Sequence, residues 1–386
     1  MSALRSLYLH IPFCERKCEY CDFASVAGTA RQHEYVDGLR RELRQVAAGL
    51  PGIELDTVFL GGGTPGLLDP GLLAAVLDEV RAGFALAPDA EITLEANPSS
   101  TDEARASVWL EAGCTRVSLG VQSLEPDILA FLGRVHDGVR ALEAVADVRR
   151  AGFVRVNCDL IYAVPGLDDH RWTRTVERLL ELDPGHLSCY ELTVEEGTPL
   201  ATRVAAGRVA VVDADRALDQ HWRAVELCAA AGYAQYEVSG FARAGHECRH
   251  NQVYWANGFY LAAGVAAHGH LPPQAAETLG IARPPEGAVA VRYWHPRGIA
   301  RYLSSVAAGG LGIAGTEAID QDTNELERIM VGLRRSAGVE LQARHASAAA
   351  QLAADGLVSV DGVRCRATRR GQELLNHVAL RLVDAA

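Results

Sequence analysis

The sequence lacks any apolar run long enough to cross a membrane. No hydrophobic stretch reaches the roughly 18 residues that mark a membrane-spanning helix. The apolar stretch Leu7–Phe13 is too short for a secretory leader, and cysteines follow it at once. These absences predict a cytoplasmic protein without a membrane span, and they leave a peripheral membrane partner open.

Positive charge is also scarce. The 386 residues include 37 Lys and Arg against 49 Asp and Glu, which gives a net charge of −12. Binding to a phosphate backbone needs clustered cations. The basic runs here are short pairs such as Arg334-Arg335. We therefore expect no nucleic-acid partner.

The cysteines lack the pattern of a disulfide framework or of a paired zinc motif. There are nine, an odd number, and six of them are scattered singly along the chain. Such a distribution is typical of a reducing compartment. The other three, Cys14, Cys18 and Cys21, form a C-x3-C-x2-C motif.

Three thiolates at this spacing indicate a metal centre. Zinc with His10 as a further ligand is one alternative, but zinc motifs usually come as two separated Cys/His pairs. A disulfide with one spare thiol is another. Cubane iron–sulfur clusters usually have four cysteine ligands. We predict a 4Fe–4S cluster on Cys14, Cys18 and Cys21, with one iron left open to a further ligand.

Short strands alternate with amphipathic helices over the first half of the chain. Such an alternation is typical of a parallel sheet with crossover helices. The predicted strands are Ser6–Ile11, Thr57–Leu60, Ala90–Glu95, Arg116–Gly120, Val154–Leu160 and His186–Glu191. The predicted helices are Glu34–Ala48, Gly71–Arg81, Thr101–Glu111, Gly138–Arg150 and Trp172–Glu181. Six units are too few for a closed eightfold barrel, so we predict an α/β fold with a partial (β/α)6 barrel.

The pattern changes after Gly240. We predict a barrel over residues 1–240, a connecting segment over 241–310 and a smaller C-terminal helical domain over 311–386. In the last region, helices flank a hairpin around Asp361-Gly362, which is the outline of a winged-helix-like domain. Its acidic composition favours packing on a partner domain over DNA binding.

Polar residues follow the predicted strands at their carboxyl ends, where barrels of this kind place their sites. They are Gly61–Thr64 after the second strand, Glu95 at the end of the third, Gln122 after the fourth, Arg134 on the next connection and Asp159 near the end of the fifth. Three glycines there allow close backbone approach. Asp159 lies in an apolar strand and must be paired or face the barrel mouth.

The cysteine motif resembles that of the radical S-adenosylmethionine enzymes. The longer string from Tyr8 to Phe23, Y-x-H-I-P-F-C-x3-C-x-Y-C-D-F, is similar to the group of oxygen-independent coproporphyrinogen III oxidases and the heme chaperones related to them. The resemblance implies a partial barrel, a 4Fe–4S cluster and S-adenosylmethionine. It also implies a cofactor-binding set of Tyr8, Gly62, Gly63, Thr64, Glu95, Gln122, Arg134 and Asp159, in which Arg134 holds the methionine carboxylate and Glu95 the amino group.

Two features favour a heme chaperone over the oxidase. In the oxidases, the second position after the last cluster cysteine is usually a fourth cysteine, and here it is Phe23. The pattern H-N-x-x-Y-W, spanning His250, Tyr254 and Trp255, resembles a chaperone motif linked to heme. A histidine beside large aromatics can supply an iron ligand and a stacking wall, although a packed core histidine is the alternative.

The axial ligand is predicted to be His246, Cys248 or His250. Ala262 and Ala266 stand where the family tends to have glycine. The sequence thus predicts a carrier of heme for an unidentified acceptor protein, with no catalytic residue assigned. Oxidative decarboxylation of coproporphyrinogen III is the alternative, and a homodimer stays open.

Overall fold

The structure, a computed structural model, describes residues 4–384. Its strands in chain order are β1 Ser6–Ile11, β2 Phe13–Cys14, β3 Val26–Ala27, β4 Glu54–Gly62, β5 Ala85–Ala96, β6 Arg116–Gln122, β7 Arg155–Tyr162, β8 Gly185–Glu191, β9 Ala234–Gln235, β10 Gly240–Ala242, β11 Leu261–Ala263, β12 His268–Leu271, β13 Ala290–Trp294, β14 Gly315–Ile319, β15 Val339–Glu340, β16 Val358–Asp361 and β17 Arg364–Ala367.

The helices lie mainly between these strands. They are α1 Gln32–Gly49, α2 Pro70–Gly83, α3 Glu103–Glu111, α4 Pro126–Leu132, α5 Gly138–Arg150, α6 Asp169–Glu181, α7 Pro199–Ala205, α8 Ala214–Ala230, α9 Arg249–Trp255, α10 Pro273–Thr278, α11 Ile299–Ala307, α12 Gln321–Gly332, α13 Ala346–Ala354, α14 Arg369–Glu373 and α15 Leu375–Asp384. None of the helices in the described range is long and apolar enough to cross a membrane.

The main sheet is an open, curved layer built on six parallel strands. Its order is β11-β1-β4-β5-β6-β7-β8-β10-β9, with β11 parallel to β1 and the last two strands antiparallel. Each of the six predicted strands and five predicted helices is present, with small differences at the ends. The predicted α/β partial barrel is confirmed.

Alternating side chains give the sheet one apolar and one polar face. On β6, Val117 and Leu119 are fully buried in the main hydrophobic core, whereas Ser118 lines a cavity. On β7, Val156 and Cys158 are in the core and Asp159 lines the same cavity. Because side chains alternate along a strand, the apolar positions pack on the helices and the polar positions collect on the opposite face.

The C-terminal region has a hydrophobic core of its own. It includes Ile329 and Leu333 of α12, Leu352 of α13 and Val378 of α15. The predicted hairpin is present as β16 and β17, and β15 completes a three-stranded sheet. A smaller C-terminal domain with helices around a hairpin is therefore confirmed.

The predicted connecting segment, residues 241–310, contributes strands to two different sheets. Strand β11 extends the main sheet beside β1. Strands β12, β13 and β14 form a separate antiparallel sheet that crosses the predicted boundary at residue 310. The boundaries at 240 and 310 stay a prediction.

Candidate metal and cofactor site

The cysteine loop leaves the carboxyl end of β1. Strands β2 and β3 pair in parallel and close the loop that carries Cys18 and Cys21. All three thiols of the motif are free and half-buried. Burial raises the pKa of Cys14, and raises that of Cys21 to about 11. Without a metal the thiols of Cys14 and Cys21 therefore stay protonated, whereas a coordinated cation removes the proton from a thiol outright.

The three cysteines border one cavity of about 490 Å³, which we call the cysteine cavity. Its lining brings together most of the predicted site residues from five separate strand ends, those of β1, β4, β5, β6 and β7. They are Cys14, Cys18, Cys21, Gly62, Gly63, Thr64, Glu95, Gln122, Arg134 and Asp159. Tyr8, His250, Tyr254 and Trp255 are not part of this lining.

The glycines at the end of β4 are required by the cysteine loop itself. Gly62 has φ +108°, and a Cβ atom on it would lie 2.4 Å from the His10 ring. A Cβ atom on Gly63 would lie 2.7–2.9 Å from the backbone of residues 11–13. The amides of Gly63 and Thr64 donate to the carbonyls of Ile11 and Phe13 at 2.8 Å. The close approach predicted from these glycines is thus made, at least in part, to the chain's own loop.

Arg134 reaches from the connection after α4 to the cysteines. Its Nη1 lies 3.4 Å from the Cys18 sulfur, and its Nη2 donates to the Gly120 carbonyl at 2.7 Å and to Asn97 Oδ1 at 2.5 Å. Asn97 in turn donates to Thr64 Oγ1 at 3.0 Å. Both terminal nitrogens of the guanidinium already have contacts. A carboxylate ligand would therefore have to accept from the hydrogens that remain, including the one on Nε.

Two buried polar atoms in this wall have no hydrogen-bond partner in the described part of the chain. They are Nε of Arg134 and Oε1 of Gln122. Gln122 has a left-handed backbone, with φ +65°, at a bulge between β6 and β7. Buried polar groups are normally paired. A polar ligand such as S-adenosylmethionine would satisfy both atoms, so the wall fits the group that the motif implies.

Two carboxyl groups also line the cysteine cavity, those of Glu95 and Asp159. Glu95 accepts from the Gly62 amide at 3.0 Å, and Asp159 accepts from Ser118 at 3.0 Å and from Asn157 at 2.8 Å. Burial, and then the charge of Asp159, raises the pKa of Glu95 to about 8. Burial also raises the pKa of Asp159. Glu95 is therefore largely protonated at neutral pH. A cationic amino group beside it would lower its pKa again and favour the carboxylate.

The arrangement of the thiols bears on the alternative of a zinc ion. Among residues 4–384, no three His, Cys, Asp or Glu side chains are grouped closely enough to hold a single metal ion. Zinc needs its ligands to converge on one point, whereas a cubane takes each thiolate on a different iron. His10, the alternative fourth ligand, has its ring nitrogens 3.2 Å from the Tyr8 hydroxyl and 2.8 Å from the Ala24 carbonyl.

A second cavity, of about 520 Å³, adjoins the first. The two share Asp22, Phe23, Gly62, Glu95, Ser118, Asp159 and Tyr190. The second cavity also contains Tyr8, predicted beside the cofactor, and Tyr254 of the H-N-x-x-Y-W motif. Arg116 lies in its wall, buried, with Nε and Nη2 unpaired within residues 4–384.

The H-N-x-x-Y-W motif forms the short helix α9 at the far end of the sheet from the cysteines. His250 is fully buried, and its ring nitrogens lie 2.8 Å from Thr57 Oγ1 and 2.8 Å from the Tyr254 hydroxyl. Thr57 lies five residues before the end of β4, or roughly 16 Å along the strand. The amide of His250 donates to Glu91 at 3.1 Å, and burial lowers the pKa of the ring to about 3.

These contacts do not favour the predicted axial ligands. His250 would have to break a buried hydrogen bond before it could bind iron. Cys248 is fully buried with its sulfur 3.6 Å from Glu91. Neither His246 nor Trp255 lines either cavity. Of the motif's predicted residues, Tyr254 reaches the second cavity, and the ligand assignment stays a prediction without geometric support.

The fold also brings to the site several residues that were not among the predicted site residues. Asn97 links Thr64 to Arg134, and its position just after β5 was the available signal. Ser118 and Asn157 hold Asp159 by hydrogen bonds. His268 lines the second cavity beside Phe23, and nothing in its local sequence indicates that placement.

The comparisons with known proteins agree with this geometry. Residues 8–179 match the Radical SAM superfamily. The heme chaperone HemW of Mycobacterium tuberculosis is 38% identical over 384 residues, which cover 98% of this chain and 94% of that protein. HemW of Escherichia coli is 38% identical over 306 residues, or 78% of this chain and 77% of that protein.

A solved structure supports the fold. Coproporphyrinogen III oxidase (HemN) of Escherichia coli superposes with a TM-score of 0.81 over 99% of this chain and 90% of that one, at 22% identity. The open barrel with three cysteines after its first strand defines a radical S-adenosylmethionine protein. Within that class, the chain belongs to the HemW family.

Proposed function

We propose that this chain carries heme and transfers it to an acceptor protein. In this proposal, a 4Fe–4S cluster sits on Cys14, Cys18 and Cys21, with S-adenosylmethionine at the fourth iron. The observation that carries the proposal is the 38% identity to HemW over nearly the whole length of both chains. The name of that relative describes it as a heme chaperone, and Phe23 is in keeping with a chaperone because it stands where the oxidases usually have a fourth cysteine.

The residues of the cysteine cavity have distinct parts in the proposal. The three thiols hold the cluster, and such a cluster supplies one iron with an open position for a small molecule. Arg134 and Gln122 offer unpaired polar atoms for the methionine and adenosine groups. Glu95 receives the amino group, and Asp159, fixed by Ser118 and Asn157, accepts from hydroxyls.

The second cavity is the proposed place of the heme. Phe23 and Tyr190 line it and are 62% and 42% exposed, so they offer apolar surface to a flat ligand. Large exposed apolar side chains around a cavity are typical of ligand sites. A cytoplasmic location and an unidentified acceptor belong to the same proposal, and the nine free cysteines support a reducing compartment.

One sample tests the proposal against the oxidase alternative. After anaerobic reconstitution, heme is titrated into one portion, and another receives coproporphyrinogen III, S-adenosylmethionine and a low-potential reductant. We expect saturable heme binding at about one per chain and no protoporphyrinogen. A holo sample mixed with an apo-cytochrome should then lose heme to it. Multiple turnovers of coproporphyrinogen would contradict the proposal.

A further inference from the structure

The second cavity is lined by tyrosines and by two histidines that could coordinate a heme iron, and the histidines are considered first because imidazole is the commoner ligand. Its two histidines are His10 and His268. Both ring nitrogens of His10 have contacts, with the Tyr8 hydroxyl and the Ala24 carbonyl. Among the other predicted ligands, His250 and Cys248 are fully buried with their side chains bonded. His268 is therefore the histidine on this wall that is able to accept a metal without losing a contact.

His268 is exposed, and no group within residues 4–384 is hydrogen-bonded to its ring. Its ring stacks on Trp294, with 6.1 Å between the centroids and 22° between the planes. Burial of part of the ring, followed by the charges of His295, Arg292 and Arg297, lowers its pKa. The imidazole is thus neutral at physiological pH, which is the form that binds iron.

We propose that His268 is the axial ligand of heme at the mouth of the second cavity, an inference that rests on the proposed function. Imidazole is a common axial ligand of heme iron. The site lies beside the cysteine loop, because the second cavity includes Asp22, Phe23 and Ala24 together with His268. The proposed heme site is therefore next to the cysteine loop, and Tyr254, which also lines this cavity, separates it from the buried His250 ring.

The surroundings of His268 suit a porphyrin. Phe23 and Tyr190 supply exposed aromatic faces in the same cavity. Arg297, whose side chain is 70% exposed, lies in the same lining and donates to the Asp22 carbonyl at 2.5 Å. The remaining hydrogens of this guanidinium are free to meet a propionate. Two aromatic walls, one neutral imidazole and one rim cation match the chemistry of heme.

The loop that leads from β11 to His268, the first residue of β12, is fixed by buried contacts. The Gly264 amide donates to Glu42 at 3.0 Å, and Glu42 also accepts from Tyr302 at 2.6 Å and pairs with His295 at 2.5 Å. The His295 amide donates to the Ala267 carbonyl at 2.9 Å. A ligand on an anchored loop keeps its position when the cargo leaves, as a reversible carrier requires.

The test is spectroscopic. The reconstituted parent, His268→Ala and His268→Met are titrated with ferric heme and followed by absorbance, electron paramagnetic resonance and magnetic circular dichroism. His33→Ala is the matched control, because His33 is exposed on α1 and outside both cavities. Arg297→Ala probes the propionate. We expect His268→Ala to lose the imidazole signature and to bind at least about tenfold more weakly. His268→Met should replace the signature with that of a thioether.

The controls distinguish a wrong ligand assignment for His268 from a wrong carrier function. His33→Ala should match the parent, and Arg297→Ala should bind about two- to fivefold more weakly with an unchanged ligand signature. If the parent binds heme and His268→Ala keeps the parent's spectrum and affinity, the ligand assignment is overturned and the carrier function stands. If the parent binds no heme, both are overturned. Thermal unfolding of each variant identifies any loss caused by misfolding.

Discussion

The cysteine loop and helix α9 carry the two most specific motifs of this chain. The side chains of the two motifs differ in burial and in whether their polar atoms already have partners. Cys14, Cys18 and Cys21 are half-buried free thiols that border an open cavity. His250 is fully buried, and both of its ring nitrogens already have partners within the protein. A side chain available to a ligand is accessible and has unused donors or acceptors. By that criterion the loop is the better candidate site, because the histidine of α9 is already bonded and Tyr254 is the predicted residue of α9 that reaches a cavity.

The largest expected effect concerns the loop. Replacing Cys14, Cys18 and Cys21 together by Ala should abolish the brown chromophore and the bound iron after reconstitution, because no thiolate remains to hold the cluster. The control is Cys228→Ala, a buried thiol on α8 outside both cavities. Iron analysis and absorbance are the measurements. Uptake of about four irons per chain by the triple variant would contradict the assignment.

The next prediction concerns the stability of α9. His250→Ala should lower the free energy of unfolding by about 2–4 kcal/mol, because it opens a cavity and leaves Thr57 and Tyr254 without their partner. Denaturant unfolding measures the change. His170→Ala, at an exposed position on α6, should change little. A His250→Ala variant as stable as the parent would remove the contrast between the two motifs.

A third prediction tests the walls of the cysteine cavity. Arg134→Ala and Glu95→Gln should each weaken S-adenosylmethionine binding by about 1.5–3 kcal/mol, because charge-assisted hydrogen bonds are lost. That corresponds to roughly 10- to 150-fold in affinity. Calorimetry with an intact cluster is the measurement, and Arg208→Ala, exposed and outside both cavities, is the control. Unchanged affinity in both variants would exclude these residues from the site.

The pKa of Glu95 adds a pH dependence to this prediction. Because burial and Asp159 raise that pKa to about 8, the charged form that receives an amino group is favoured only above pH 8. Affinity for S-adenosylmethionine should therefore rise as the pH increases from 7 towards 8 in the parent. In Glu95→Gln that rise should be absent. An equal slope in the two proteins would show that the Glu95 carboxyl does not titrate with binding.

The smallest expected effect distinguishes the two alanines that stand in place of family glycines. Ala266 has φ +54°, a left-handed backbone that favours glycine, whereas Ala262 lies in β11 beside Tyr8. Ala266→Gly should raise the free energy of unfolding by up to about 1 kcal/mol, and Ala262→Gly should lower it by about 0.5–1 kcal/mol. Denaturant midpoints measure both. The same sign for both variants would mean that backbone conformation does not explain the difference.

Much of the barrel could be predicted from the sequence because its signals are local. Apolar strands bounded by turns, and helices with one apolar face, recur in order, and the strand Ser6–Ile11 and the helix Gly138–Arg150 have the predicted bounds. The strand-end residues could be predicted as a group, because parallel strands place their carboxyl ends at one edge. Glu95, Gln122, Arg134 and Asp159 accordingly line one cavity with the cysteines.

The role of the H-N-x-x-Y-W motif was harder to predict, because a sequence pattern does not show which atoms are already hydrogen-bonded. A histidine next to aromatic residues fits both a ligand and a packed core position. The contact of His250 with Thr57, 193 positions away in the chain, favours the packed position, and a sequence pattern does not show it. The placement of His268 likewise depends on the pairing of β11 with β1, because this pairing brings the loop after β11 close to the cysteine loop.

The sequence by itself determined the cysteine motif, the parallel sheet and the polar set at its carboxyl edge, because spacing and periodicity are properties of neighbouring residues. Only the tertiary structure decided which polar groups remain unpaired. It gives His250 and Cys248 buried partners and leaves Arg134 Nε, Gln122 Oε1 and the His268 ring without one. The physical reason is that hydrogen-bond satisfaction depends on groups distant in the chain, and these meet only when the barrel folds.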